Sequence, residues 1–285
     1  MIVWLTSYPK SGNTWVRSFL SSLIFTEYGE VDFDNMQKLS QYPMRSHFTD
    51  LLENLEDINS LSKNWISSQE RINFDNKIRF FKTHHVMCNF GKNSFTNYEN
   101  TFGVIHIVRD PRNIVTSILN YFDKKNYDEA KQFLFDEKKI IGIDLANIDH
   151  EKLKDNNMIT LISSWKTHYN SWKNFKKNYL LIKYENLINE PHIEFGKIRN
   201  YLKTNLRLNF SDKKFNDAIE SNSFKKLKNI ENLKGFSENI FKDSNKKTNF
   251  FNLGPENDFN KFLDAKTREE IEKNFSNEMK ELKYI

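Results

Sequence analysis

Near its start the chain reads Tyr8-Pro9-Lys10-Ser11-Gly12-Asn13-Thr14-Trp15. A lysine, two hydroxyls and a glycine at this spacing suit one task, the grip of a phosphate-like anion. Lys10 supplies a mobile point charge, Ser11 and Thr14 supply hydroxyl donors, and Gly12 lets the backbone come close to a ligand. The order differs from that of the nucleoside-triphosphate loop, which sets four residues between two glycines and then Lys and Ser or Thr. Here Lys10 precedes the loop's single glycine, and no hydroxyl is placed to hold magnesium. Two further side chains carry chemistry. The imidazole of His84 can take a proton from a hydroxyl at neutral pH. Arg109 offers a guanidinium fork that matches phosphate oxygens, with Ser117 eight positions further on.

Each of these residues follows a segment able to position it. Ile2 to Leu5 is a short apolar run and reads as a buried strand. Ser7, Pro9 and Gly12 break it, and Trp15, Phe19, Leu20 and Leu23 then recur at helical spacing over about Thr14 to Tyr28. In a strand, loop and helix, the N–H groups of the loop and first turn converge, and the helix dipole favours an anion there. Lys77 to Lys82 reads as a second strand, so His84 stands just past a carboxyl end, where open α/β sheets bind ligands. His85, in an extended segment, faces the other way. Phe102 to Val108 is the clearest buried strand. It runs into Arg109-Asp110-Pro111-Arg112, with Pro111 suited to the first turn of a helix reaching about Phe122. Ile159 to Phe175 reads as one helix whose aromatic stripe, with His168, is structural. Leu180 to Leu187 reads as a further strand leading to a helix. Helices are expected over Glu190 to Lys203, from Ser211 with Asp212 in its first turn, and over Asp264 to Lys283.

A chain of 285 residues is long enough for one large α/β domain, and the alternation of strands and helices points to that class. Hydrophobic content of 38% and charged content of 28% describe a globular chain on the polar side. No run approaches eighteen apolar residues, so no transmembrane helix and no membrane partner are expected. The N-terminus lacks the basic region of a signal peptide. Its first strand leaves no room for a targeting extension, and the lone Cys88 fits a reducing, cytoplasmic setting. Cys88 itself has no activating neighbour in sequence. Net charge of +5 suits an anionic ligand, yet the lysines are scattered among acids, as on a solvated surface, and no nucleic-acid module is visible. Residues 30–76 and 123–157 read as insertions on the substrate side of a single domain spanning 1–285.

The octet Tyr8 to Trp15 resembles the 5′-phosphosulfate loop of the sulfotransferases that use 3′-phosphoadenosine 5′-phosphosulfate (PAPS), and the later motifs follow in that family's order. The resemblance implies an α/β fold with a central, mainly parallel sheet of four to five strands flanked by helices, and a P-loop-like phosphosulfate-binding loop. It implies PAPS as donor, adenosine 3′,5′-bisphosphate (PAP) as product and no metal. Donor contacts fall on Lys10, Ser11, Gly12, Asn13 and Thr14 of the loop. Arg109 and Ser117 fall on the 3′-phosphate site, and Trp15, Tyr184 and Phe224 on the adenine. Catalytic roles fall on His84 as general base in Lys82-Thr83-His84, on Lys10 for charge on the leaving oxygens, and on Lys82 for the transferring group. Glu185 is expected to accept local hydrogen bonds.

One motif departs from the family. Where it has Arg-Lys-Gly, this chain has Asn252-Leu253-Gly254; Asp258 remains, and Phe259 replaces a tryptophan. Lys246 and Lys247 stand upstream as candidate substitutes for the lost cations. The implied acceptor is a hydroxyl or amine of a small molecule or glycan, which the sequence does not narrow. Two other readings stay open, a kinase-like nucleotide-dependent phosphotransferase and a non-catalytic nucleotide-binding relative. Nothing in the sequence sets the oligomeric state.

Overall fold

The protein is described here from a computed structural model covering residues 1–285 except 52–56, 123, 143–157, 237–240, 243–245 and 248, and without the side chains of 241, 242, 246 and 247. Four strands form the central parallel sheet: β1 (Ile2–Ser7), β2 (Arg79–Thr83), β3 (Thr101–Val108) and β4 (Tyr179–Lys183), in the order β2-β1-β3-β4 and flanked by helices. Every residue of β1 is buried. That is why it reads as an uninterrupted apolar run and not as an alternating one. Its register sets Thr6 against Thr83 of β2 and Ser7 against Ile107 of β3, so the three strands end level with one another. The outer side of β2 is also covered, since Lys82 N–H donates to the Ser40 carbonyl and Tyr42 N–H to the Lys82 carbonyl, each at 2.9 Å.

The packing divides the chain into two compact units, one of Met1–Tyr8, Leu39–Ile107 and Asp136–Leu181, the other of Pro9–Lys38, Val108–Phe135 and Ile182–Ile285. Trp4 is the hub of the first unit's core. Its indole meets Tyr42 edge-on at 5.3 Å and Phe95 at 5.6 Å between ring centres, and its N–H donates to Thr101 Oγ1 at 2.9 Å. Helix α1 (Asn13–Phe25) opens the second unit, and α2 (Pro111–Tyr121) begins with Pro111 at its first turn and Asp110 as cap, whose side chain accepts the Arg112 N–H. Among the described residues no helix is long and apolar enough to cross a membrane.

Two expected helices are shorter than their apolar patterns. The pattern from Ile159 to Phe175 is helical only over α3 (Trp165–Lys173), because Thr160–Leu161 is extended and pairs with Ile140–Ile141. Ser163 then takes a left-handed φ of 58°, and the Ser164 side chain caps α3 by accepting the Thr167 N–H. The pattern from Asp264 to Lys283 is two helices, Ala265–Asn274 and Ser276–Glu281, divided at the fully buried Phe275. Parts of the expected insertions 30–76 and 123–157 lie outside the described residues.

Candidate active site

In the second unit the loop after β1 packs directly on Tyr184, the first residue of a helix reaching Asn189. Gly12 caps α1 with a left-handed φ of 95°, and a Cβ there would lie 2.5 Å from Tyr184 Cδ2. Both the backbone angle and the space therefore require glycine. Arg109 is buried alongside. Its guanidinium lies 4.1 Å from the Tyr184 ring centre and donates to the Lys10 carbonyl at 2.9 Å and to Ser117 Oγ at 3.3 Å. The spacing from Arg109 to Ser117 thus becomes a contact, one end at the β3 terminus and the other inside α2. Arg109 Nε and Ser11 Oγ are both buried without a hydrogen-bond partner. Buried donors left in this state cost free energy unless a ligand or water meets them. With Lys10, they are groups of the kind that suit the oxygens of a phosphate-like anion.

The Lys10 ammonium sits over two aromatic faces, 3.8 Å from the Tyr121 ring centre and 4.2 Å from that of Phe250. Such a cation over a ring face is held by the ring's quadrupole. Phe250 is in turn held from below. The fully buried carboxylate of Glu231 accepts the N–H groups of Phe250 (2.5 Å) and Phe251 (2.9 Å). Tyr121, Phe250 and Glu231 were not legible as site residues, since only the tertiary fold brings the two rings to Lys10 and Glu231 to the Phe250 backbone.

The aromatic residues meet around one cluster. Trp15 donates its indole N–H to the Asn222 carbonyl at 2.7 Å and meets the Tyr184 ring edge-on at 5.9 Å. Trp15 and Phe224 both pack on the group formed by Met36, Leu227, Phe236 and Phe251. Gly254 has a packing reason, since a Cβ there would lie 2.2 Å from the Phe224 ring. Near the departed motif, Lys228 Nζ donates to the Asn252 carbonyl at 3.0 Å. Asn257, missed in the sequence, ties this segment to α2: its amide donates to Ser117 Oγ at 3.1 Å and accepts from Thr116 Oγ1 at 2.5 Å. The side chains of Lys246 and Lys247 lie outside those described.

Glu185 holds the backbone next to Arg109, and it adds distant partners to the expected local bond with its own N–H. It accepts the Asp110 N–H (2.9 Å), 75 positions away, and the Tyr284 hydroxyl (3.0 Å), 99 positions away. Burial holds its carboxyl above the ordinary value.

His84 and Lys82 belong to the first unit. Lys82 is buried within β2. His84 is half-buried just past β2, and its Nδ1 lies 2.8 Å from the Ser7 carbonyl and 3.3 Å from Ser7 Oγ. A carbonyl only accepts, so Nδ1 carries the proton and Nε2 carries the lone pair. That is the tautomer a base needs if Nε2 is to meet the incoming proton. His85 points elsewhere, stacked on Phe95 at 4.0 Å, and burial lowers its pKa to about 3. Burial pushes the Cys88 thiol up to about 11, away from the thiolate that a nucleophile uses.

A family model described as the sulfotransferase domain matches residues 2–283. The chain belongs to the sulfotransferase domain family. Solved structures agree in fold with this sulfotransferase. Mouse sulfotransferase SULT7A1 complexed with PAP aligns over 98% of this chain and 84% of its own, with a TM-score of 0.59 and 18% identity. Retinol dehydratase in a complex with retinol and PAP aligns over 98% and 81%, with a TM-score of 0.58 and 15% identity. Comparison of the sequence with curated proteins finds no match.

Proposed function

We propose that this sulfotransferase moves the sulfuryl group of PAPS to a hydroxyl or amine of a small-molecule or glycan acceptor, releasing PAP. The observation that carries the donor half is the pair of buried, unpartnered donors, Arg109 Nε and Ser11 Oγ, beside the Lys10 loop. Arg109 and Ser117 bind the 3′-phosphate; Trp15, Tyr184 and Phe224 hold the base; Asn13, Thr14 and the glycine turns at Gly12 and Gly254 shape the pocket wall. When bound, PAPS supplies an activated sulfur whose bond to the 5′-phosphate oxygen breaks as the acceptor oxygen or nitrogen attacks. His84 Nε2 takes the acceptor proton. Lys10 and the loop N–H groups stabilise the charge that develops on the leaving oxygens, and Lys82 offsets charge on the group in transfer.

A hydroxyl acceptor of small size is in keeping with the retinol held by the dehydratase of like fold. The whole chain works as one sulfotransferase domain in this reading, with residues 30–76 and 123–157 contributing acceptor contacts. A single cysteine suits a cytoplasmic location.

The test is PAP release from PAPS with a panel of phenols, alcohols and amines, in wild type and His84→Ala. Turnover should fall by about 10²–10⁴-fold in the variant, while PAP affinity, read by calorimetry, stays within twofold. Wild-type turnover in His84→Ala contradicts the base assignment.

A further inference from the structure

From sequence α3 reads as packing alone. Its polar atoms do something more specific. Trp172 Nε1–H donates to the His85 carbonyl at 2.8 Å, and Ser171 Oγ accepts the Met87 N–H at 3.1 Å. Ser171 is itself fixed, donating to the His168 carbonyl at 2.7 Å. The His168 ring bonds the backbone of His84 in the sense that favours a protonated ring, so a ring N–H meets the carbonyl. His168 Nε2 is buried without a partner, which leaves Nδ1 as the donor. Positions 168, 171 and 172 share one helix face. Between them they hold His84, His85 and Met87, while the remaining residue of that stretch, Val86, donates its N–H to the Leu161 carbonyl at 2.7 Å.

We propose that α3 is the positioning element of the base: His168, with Ser171 and Trp172, fixes the backbone of residues 84–87 so that the His84 ring meets the Ser7 carbonyl and keeps its lone pair on Nε2. The catalytic weight of this inference rests on His84 being the base. The stretch 84–87 lies beyond the end of β2, so strand pairing no longer defines it, and α3 takes over that function. His168 is a positioning residue. It stays neutral because it is fully enclosed, with the Tyr8 ring edge-on at 5.7 Å and the His106 ring at 6.1 Å.

The experiment is nitrogen-15 NMR of the imidazoles in the full chain, with His84→Ala to assign the His84 signals. Wild type should show His84 as a single Nδ1–H tautomer. In His168→Ala and in Trp172→Phe, which keeps an aromatic ring in the core and removes the N–H, His84 should become a mixture of tautomers. In both, kcat with the best acceptor of the panel should fall by about 100-fold, with Kd for PAP unchanged. His168→Asn, whose amide can donate to the same carbonyl, should recover most of both signals. Packing alone would lower the melting temperature and leave the tautomer single. That result in both His168→Ala and Trp172→Phe would overturn the proposal, and Trp172→Phe decides it if His168→Ala does not fold. Full turnover in His84→Ala would instead overturn the base itself, a failure separate from any change of tautomer.

Discussion

At the scale of single residues, the loop is governed by two constraints that meet at Gly12. Its left-handed φ and the Tyr184 ring 2.5 Å from a would-be Cβ act together. Gly12→Ala should therefore cost about 1–3 kcal/mol of backbone strain and displace the Tyr184 ring. We expect PAP affinity to fall at least tenfold, measured by calorimetry; unchanged affinity would mean that the loop tolerates a wider turn than its packing suggests. The placement of Lys10 to Trp15 could be read from the sequence because it is local, a few consecutive residues between a strand and a helix. Arg109 and Ser117 were legible for the same reason, both being set by one strand-to-helix junction. Tyr121 and Phe250, which face the Lys10 ammonium, were not. Their aromatic rings look like any core aromatic until the fold places them, and no spacing rule links them to residue 10.

At the scale of elements, the segment from Phe250 to Phe259 is fastened at both ends. Glu231 grips the N–H groups of Phe250 and Phe251, and Asn257 with the Phe259 N–H binds α2 through Thr116, Ser117 and Asn113. A carboxylate offers each N–H an oxygen, whereas an amide offers one oxygen for two. Glu231→Gln should thus leave one buried N–H facing a donor, at a cost of about 1–3 kcal/mol. Chemical denaturation should report that loss, and PAP affinity should weaken with it as Phe250 leaves Lys10. Loss of stability with full affinity would separate the segment from the donor site. Of the four sheet strands, β1 and β3 were the plainest in sequence, each an apolar run with a proline shortly after it, Pro9 and Pro111. The helix expected from Ile159 was overdrawn because its apolar spacing continues through Ile162, while the backbone turns left-handed at Ser163 and restarts at the Ser164 cap. Periodicity reports burial, and burial alone does not separate a short strand from a helix.

At the scale of the whole molecule, buried histidines couple folding to pH, three of them fully enclosed among the described residues. Burial holds His85 and His106 at about 3, and His168 well below its ordinary value. All three are neutral in the folded protein, whereas the unfolded chain takes up protons below about pH 6.5. The unfolded state then binds more protons, so stability falls as pH drops below that value, by up to about 1.4 kcal/mol per pH unit for each histidine. Denaturation midpoints between pH 7 and pH 5 should fall steeply, and His106→Phe should make the slope shallower; an equal slope in that variant would mean that His106 is protonated on folding. None of the three was singled out by sequence for this behaviour, since a histidine's burial depends on what the fold stacks around it.

The central claim is that Arg109, Ser117 and the Lys10 loop form a site for a nucleotide carrying phosphates on both the 5′ and the 3′ oxygens. It is tested most directly by calorimetric titration with PAP and with adenosine 5′-monophosphate, in wild type, Lys10→Ala and Arg109→Ala. Wild type should bind PAP at least tenfold more tightly than the monophosphate. Arg109→Ala should erase that preference, and Lys10→Ala should weaken both ligands alike. Equal affinity of wild type for the two nucleotides, or a preference that survives Arg109→Ala, would contradict the account.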